Sequence, residues 1–329
     1  MLLVGCGGAG QGAVAPGGAV AGPPGTSAGA GGGGAPGPTA PTDAAPGVPP
    51  RRASLRFELG DSDFPAPLVD VVVSGQPTTM IVDTGATHQV VGGWVAAQIG
   101  PTAATNDVGI DHAGKTLALT KLPGATIVVS GWGPIDASDA VVLPIPAALQ
   151  RQGIGGVLSP QAIATEDRAV VLDFRRGTMT DAVLGDALRT LEKEPGAAIE
   201  GEVRSCGAGN GALVFVRASI AGVEVDAQID TGATETTVRA GSEVGTRMRP
   251  GAKGTSTAVA ASGVMRVQTV DGARVKVGAL EVETTVGLVP KEARAVCPSD
   301  ALLGMDVLRR CQIVMSSKVM KARCSAPGG

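Results

Sequence analysis

Tyrosine is absent from the 329 residues, and only four Phe and two Trp are present. Stacking platforms for bases or sugar rings need exposed aromatic faces, so none is expected. Histidine is scarce as well, with two residues, and none of the five cysteines belongs to a CxxC pair. Structural zinc sites draw on paired Cys and His ligands, which leaves zinc a weak reading; no metal and no cofactor is expected. Charge of one sign is not in excess: 27 Lys and Arg stand against 30 Asp and Glu. The basic run of a nucleic-acid footprint is missing, and no nucleic-acid partner is expected. No uninterrupted apolar run approaches the roughly 20 residues of a membrane-spanning helix.

Gly and Pro, by contrast, are abundant at 50 and 23 residues, and half of residues 1–50 are one or the other, with Asp43 the sole charge there. Such a segment cannot bury enough apolar surface to offset chain entropy, so residues 1–53 are expected to be a disordered tail and linker. The remainder is rich in Val, Ala, Leu, Thr and Gly, which favours short strands and tight turns. It suffices for one large domain or two small ones.

The opening Leu3-Val4-Gly5-Cys6 resembles a bacterial lipobox, in which the cysteine is lipidated and becomes the first mature residue. Only five residues precede Cys6, fewer than an export signal needs. The two readings are a start site further upstream and a stray cysteine in a Gly/Ala-rich tail. A flexible spacer behind Cys6 suits a globular body tethered to a membrane. The expectation is therefore an exported lipoprotein facing the periplasm or the cell surface, touching the membrane only through that anchor. The other cysteines, Cys206, Cys297, Cys311 and Cys324, cluster in the last 125 residues. An even number fits two disulfides in an oxidising compartment, with three connectivities open.

An internal repeat organises the body. MIVDTGATHQVV at 80–91 and AQIDTGATETTV at 227–238 share a pentapeptide, offset by 147. The turn glycines Gly75 and Gly222 keep that offset, and Val-rich strand candidates precede each. Downstream, Gly114 matches Gly263, LPGATIVVSG (122–131) matches VDGARVKVGA (270–279), and GVLSPQAI (156–163) matches ALLGMDVL (301–308). Leu184, Leu188 and Leu191 at helical spacing, then Pro195-Gly196, predict a short helix and linker at 183–198. The fold class expected is mostly β: tandem lobes at 54–182 and 199–326, related by pseudo-twofold symmetry.

Each pentapeptide sets an aspartate, Asp83 or Asp230, at the end of a short strand, with a glycine two residues on that allows a sharp reversal. One Asp-Thr-Gly is an ordinary turn composition. Two identical copies in a repeat place two carboxylates on a shared axis, where they cannot both ionise cheaply and share one proton. Such a pair holds an acid and a base around one water, suited to attack on a peptide carbonyl.

The doubled DTGAT with Leu302-Leu303-Gly304 downstream resembles the pepsin/retropepsin clan of aspartic proteases, and more closely the two-lobed retropepsin-like proteins of bacteria, over residues 54–326. The resemblance implies an aspartic endopeptidase acting as a monomer on an extended polypeptide, with Asp83 and Asp230 as the dyad. It implies that Thr84 and Thr231 hydrogen-bond across to the opposite loop and that Gly85 and Gly232 let backbone approach the dyad. Hairpins around His112-Ala113-Gly114 and Ala261-Ser262-Gly263 sit where the family carries flaps.

Three departures stand out. There is no flap tyrosine. Val157-Leu158-Ser159 replaces the usual two apolar residues and Gly, which bears on packing behind Asp83. Ala86 and Ala233 stand where pepsin-like enzymes often place a hydroxyl, so the dyad is expected to titrate high and to work at mildly acidic pH. Among other residues, His88 is expected as a rim or subsite group, His112 as an exposed loop residue, Trp94 as core and Trp132 as a partly exposed anchor. Asp306 is expected to orient backbone, and Arg175-Arg176 and Arg309-Arg310 to form solvated faces. A peptide-binding lipoprotein without catalysis on the same fold is the alternative function. Pairing of like lobes from two chains is the alternative assembly, disfavoured by the short linker.

Overall fold

The computed structural model describes residues 51–111, 115–206, 211–260, 263–290, 297 and 299–326, together with the backbone of 4–7. The expected tail therefore lies almost wholly outside the described residues. Val4–Gly7 is a strand laid antiparallel to Ala103–Asp111, with Cys6 opposite Gly109.

The described residues form two large sheets, and the internal repeat is written in their strand order. In the first sheet, the hairpin Ala103–Asp111/Thr116–Lys121 is followed by Val141–Leu143, Val90–Gly92, Ile154–Leu158, Gln76–Val82 and Ser62–Val73. In the second, the hairpin Gly254–Ala260/Gly263–Val277 is followed by Leu280–Val289, Thr237–Arg239, Ala301–Leu303, Val223–Ile229 and Ala212–Ile220. Position by position these are the same structure. Each aspartate-bearing strand is flanked on one side by its hairpin partner and on the other by a parallel strand, Val82 opposite Leu158 and Ile229 opposite Leu303.

The first hairpin of each lobe closes through two residues with positive φ, Ser74 (45°) and Gly75 (89°) in one lobe and Ala221 (51°) and Gly222 (77°) in the other. Two consecutive left-handed residues make the turn whose twist matches antiparallel strands. The glycine adopts that backbone freely, while Ser74 and Ala221 are held there by the strands they join. This turn fixes the register that carries Asp83 and Asp230 to the same height in their sheets.

The second sheet does not stop at the second repeat. Beyond Ala212–Ile220 it continues through Ala197–Ser205, Val319–Cys324, Cys311–Met315, Arg168–Asp173, Thr178–Val183 and Arg52–Ser54. Arg168–Val183 thus pairs across to Cys311–Met315, and Arg52–Ser54, its first two residues expected in the tail, rides on Thr178–Val183 with Ala53 fully buried. The helix Leu184–Glu192 forms where the leucine spacing placed it, burying Ala187 and Leu191 against Ala169, Val171 and Val314. One apolar cluster runs through both lobes, from Val69, Val71 and Met80 to Ile229, Leu303 and Ile313.

Both disulfides fall in the second half. Cys311–Cys324 staples two neighbouring strands at a point where the two residues are already paired. Cys206–Cys297 ties the hairpin Ala197–Ser205/Ala212–Ile220 to the segment before Ala301–Leu303. Disulfides are the mark of an oxidising, exported environment. No helix among the described residues is long and apolar enough to cross a membrane.

Three sequence readings change. Trp132 is no exposed anchor: it is buried at 4% exposure in the core with Val129 and Ala137. Arg175 is not on a solvated face but sits in an ion-pair cluster with Asp173 and Glu194 at the end of the helix, which Arg176 joins from the outside. Arg309 lies over the Phe57 ring at 4.5 Å, a cation–π contact in place of free solvation. Trp94 is half-buried, its Nε1 donating to the Ile154 carbonyl.

Candidate active site

The two aspartates leave their strands at the same hydrogen bond. Asp83 N donates to Leu158 O (2.9 Å) and Asp230 N to Leu303 O (3.0 Å), so each begins its turn pinned to the neighbouring parallel strand. The turns then lock to each other. Thr84 N donates to Thr231 Oγ1 (3.0 Å) and Thr231 N to Thr84 Oγ1 (3.1 Å). The hydroxyls continue outward, Thr84 Oγ1 donating to Ile229 O (3.0 Å) and Thr231 Oγ1 to Val82 O (2.7 Å). Each threonine hydroxyl thus both accepts from and donates to the backbone of the opposite strand end, and all four bonds are buried. In that environment they are worth more than surface bonds, because no water replaces a lost partner.

This lock places the two carboxyl groups in one dry space. Asp83 and Asp230 are both 0% exposed. Asp83 Oδ1 accepts from Gly85 N (2.6 Å) and Asp230 Oδ1 from Ala233 N (2.9 Å). The Oδ2 atom of each receives nothing from backbone or other side chains. The Asp83 carboxyl lies directly over Gly232: a Cβ there would run into its Cγ and Oδ2 and stand 2.8 Å from Oδ1. Glycine at 232 is therefore required by close approach.

Burial raises both acids. Asp83 is pushed up from 3.8 to about 6, chiefly by loss of solvation, held back by its interaction with Asp230 and by the Gly85 and Gly232 amides. Asp230 is raised well above the usual range, first by burial and then by the charge of Asp83. Two ionised carboxylates would leave both Oδ2 atoms without a donor, whereas one proton between them supplies it. The pair therefore titrates as a unit. Ala86 and Ala233, both fully buried, bring no hydroxyl to it, but desolvation is the larger cause of the rise.

The support behind the two loops differs between lobes in a way sequence reading missed. In the second lobe Gly304 packs so closely that a Cβ would meet the Glu235 backbone at 2.5 to 2.9 Å, and Met305 N donates to Ala233 O (2.8 Å). Thr236 Oγ1 accepts from Gly304 N and donates to Asp306, which Thr284 also binds. In the first lobe Ser159 stands in for the glycine. Its Oγ donates to Ala86 O (2.6 Å), replacing the amide that Met305 supplies. Gln89 clasps the Ser159 backbone through both ends of its amide (2.9 Å each), and Gln161 Nε2 donates to Thr84 O. Ser159 is fully buried, so packing behind Asp83 is intact. Gln89 aligns with Thr236 at the offset of 147, a signal present in the repeat but not interpretable before the turn's hydrogen bonds were known.

Of the expected flap residues, His112, Ala113, Gly114, Ala261 and Ser262 lie outside the described residues. Gly263 is described and opens the second strand of its hairpin, opposite Ala260, at φ 127°. The stems of both hairpins stand at corresponding places in the strand order, the first with Val4–Gly7 added outside it. His88 Nδ1 lies 2.8 Å from Thr87 Oγ1, a rim contact.

The chain carries two tandem domains, each of which matches a retropepsin-like aspartyl protease family. Residues 69–186 match the family described as "Aspartyl protease", and residues 216–310 match the family described as "gag-polyprotein putative aspartyl protease". Each match spans one pentapeptide and its parallel strand. A comparison with curated proteins finds no match.

Proposed function

We propose that the protein is an aspartic endopeptidase that hydrolyses an extended polypeptide in the cleft between its lobes, with Asp83 and Asp230 as the catalytic pair. The observation that carries this reading is the buried pair itself. Two carboxyls with unshared Oδ2 atoms are held on a lock of four threonine hydrogen bonds. Burying a carboxyl without use is costly, and paired acids pushed upward in a cleft are the signature of acid–base chemistry.

In the singly protonated pair, the carboxylate takes a proton from a water bound between the Oδ2 atoms while the carboxylic acid donates to the scissile carbonyl oxygen. The resulting tetrahedral diol collapses when the leaving nitrogen is protonated, and the C–N bond breaks. Burial raises both acids, so the pair retains one shared proton, one member acting as carboxylate and the other as acid. The amides of Gly85 and Ala233 each hold one Oδ1 in place, leaving both Oδ2 atoms for the water. Because both pentapeptides lie on one chain, the monomer is complete, and the pair stays singly protonated in the mildly acidic range. The disulfides fit an exported protein, and Cys6 remains our candidate for lipid tethering through the Gly/Pro-rich segment.

The test is hydrolysis of a diverse peptide library across pH 3–7 by the wild type, Asp83→Asn and Asp230→Asn. Cleavage at mildly acid pH, inhibited by a statine-type compound and reduced at least about a thousandfold in both variants, is expected. Full activity in either variant rejects the shared-pair mechanism. Peptide binding without cleavage by the wild type would make the protein a binding module.

A further inference from the structure

The first position at which the two catalytic loops differ is the residue directly after the pentapeptide, His88 in one lobe and Glu235 in the other. Both are half-buried, while the two residues that follow each are buried. The Glu235 carboxyl lies beside the Ser256 hydroxyl, on the strand Gly254–Ala260. Ser256 lies on the shielded face of that strand with Gly254 and Ala258, whereas Thr255 and Thr257 face solvent. Glu235 therefore joins the end of the catalytic turn to the shielded face of the hairpin strand, the side on which the proposed peptide would lie.

The origin of this side chain is fixed, because Gly304 packs against the Glu235 backbone. The charged side chain acting on it is Asp306, of like sign and engaged by Thr236 and Thr284. Among the described residues no Lys or Arg forms an ion pair with Glu235. Among the described residues, the groups beside its carboxylate are the neutral Ser256 hydroxyl and the like-charged Asp306. At the matching places in the first lobe, His88 replaces Glu235 and Gln161 replaces Asp306. A cleft that is twofold in backbone is thus acidic on one side only.

We infer that Glu235 is a specificity-determining residue that selects substrates carrying a lysine or arginine on the second-lobe side of the scissile bond, and so sets the direction in which the peptide binds. This rests on the proteolytic reading above. An ammonium or guanidinium there gains a charge-assisted hydrogen bond with a carboxylate already removed from bulk water, where such a bond is stronger than at a surface.

The experiment uses a peptide series in which each position in turn is lysine or norleucine. Cleavage is followed with the wild type, and binding with wild type and Asp83→Asn by fluorescence polarisation of the labelled peptides. One position should favour lysine by about tenfold or more, as a partly desolvated charge pair does. Glu235→Gln should bring that ratio below about twofold, Glu235→Lys should invert it toward glutamate, and His88→Glu should create a second lysine-preferring position on the other side of the bond. A lysine preference unchanged in Glu235→Gln overturns the inference, as does the lack of any such position or of any peptide binding. Lysine-selective binding without cleavage would keep this inference and reject the proteolytic one, and cleavage indifferent to charge would do the reverse.

Discussion

Replacing either buried aspartate by asparagine should make the protein more stable at neutral pH while abolishing hydrolysis. Asp83 is raised from 3.8 to about 6 in the fold, which corresponds to about 3 kcal/mol. Between those two values the unfolded chain has released its proton and the folded chain has not, so rising pH favours unfolding. The penalty is absent below the unfolded value of 3.8, grows through the interval, and is complete above about 6. Asp230 is displaced in the same direction and adds to it. Asparagine keeps the Oδ1 acceptor used by Gly85 N or Ala233 N, and its amide can donate to the facing carboxyl. At pH 7.5 Asp83→Asn should therefore melt higher than wild type by about 6–12 °C, from roughly 2–4 °C per kcal/mol for a body this large. At pH 3 the two should melt together. Differential scanning calorimetry at both pH values reads this directly. A variant that is no more stable at pH 7.5, or whose advantage persists undiminished at pH 3, would refute the claim that the pair is held protonated by burial.

Other perturbations follow from the same geometry. Thr84→Val or Thr231→Val leaves one buried N–H and one buried carbonyl unpaired and should cost about 2–5 kcal/mol in denaturant titration. The double variant should cost less than the two losses added, since they share one network; a loss under about 1 kcal/mol in either single variant contradicts the lock. Ser159→Gly should cost about 1–3 kcal/mol through the bond to Ala86 O. The reverse change, Gly304→Ser, drives a Cβ into the Glu235 backbone and should cost about 3 kcal/mol or more, so equal tolerance of the two would show that the lobes do not differ as described. Breaking Cys206–Cys297, with a sequence separation of 91, should lower stability by up to about 4.6 kcal/mol through loop closure. Cys311–Cys324, 13 apart, should cost up to about 2.9 kcal/mol. Thermal melts of paired Cys→Ala variants check the order, and an inverted order assigns the effect to local packing.

The architecture was legible because it is written twice. Offsets of 147 between Gly75 and Gly222 and between the pentapeptides are the offsets of the turns and aspartates in the two sheets. The leucine spacing at 184, 188 and 191 yielded the helix. Relations that depend on contacts between distant strands stayed hidden. Nothing local in Arg168–Val183 says that it pairs with Cys311–Met315, because apolar alternation states which face is buried and not which neighbour covers it. The same holds for Trp132, whose flanking glycines suggested exposure although the strands around it close over the ring. Gln89, Ser159 and Gln161 were opaque for another reason. Three different side chains do for one lobe what Gly304, Met305, Thr236 and Asp306 do for the other. A hydrogen bond can be supplied by many residue types, so function is retained where identity is not.

Cutting the chain at the linker would not release two self-sufficient halves. The ribbon Arg168–Val183, encoded with the first repeat, is built into the sheet of the second, and Arg52–Ser54 is the outermost rung of that same ladder. A first half made alone would display an orphan ribbon, and a second half would offer the bare edge of Cys311–Met315, both invitations to aggregate. Mixed together, the fragments have a ready means of finding each other, so complementation of two separately translated pieces is a practical route to a two-lobed fold that assembles on demand.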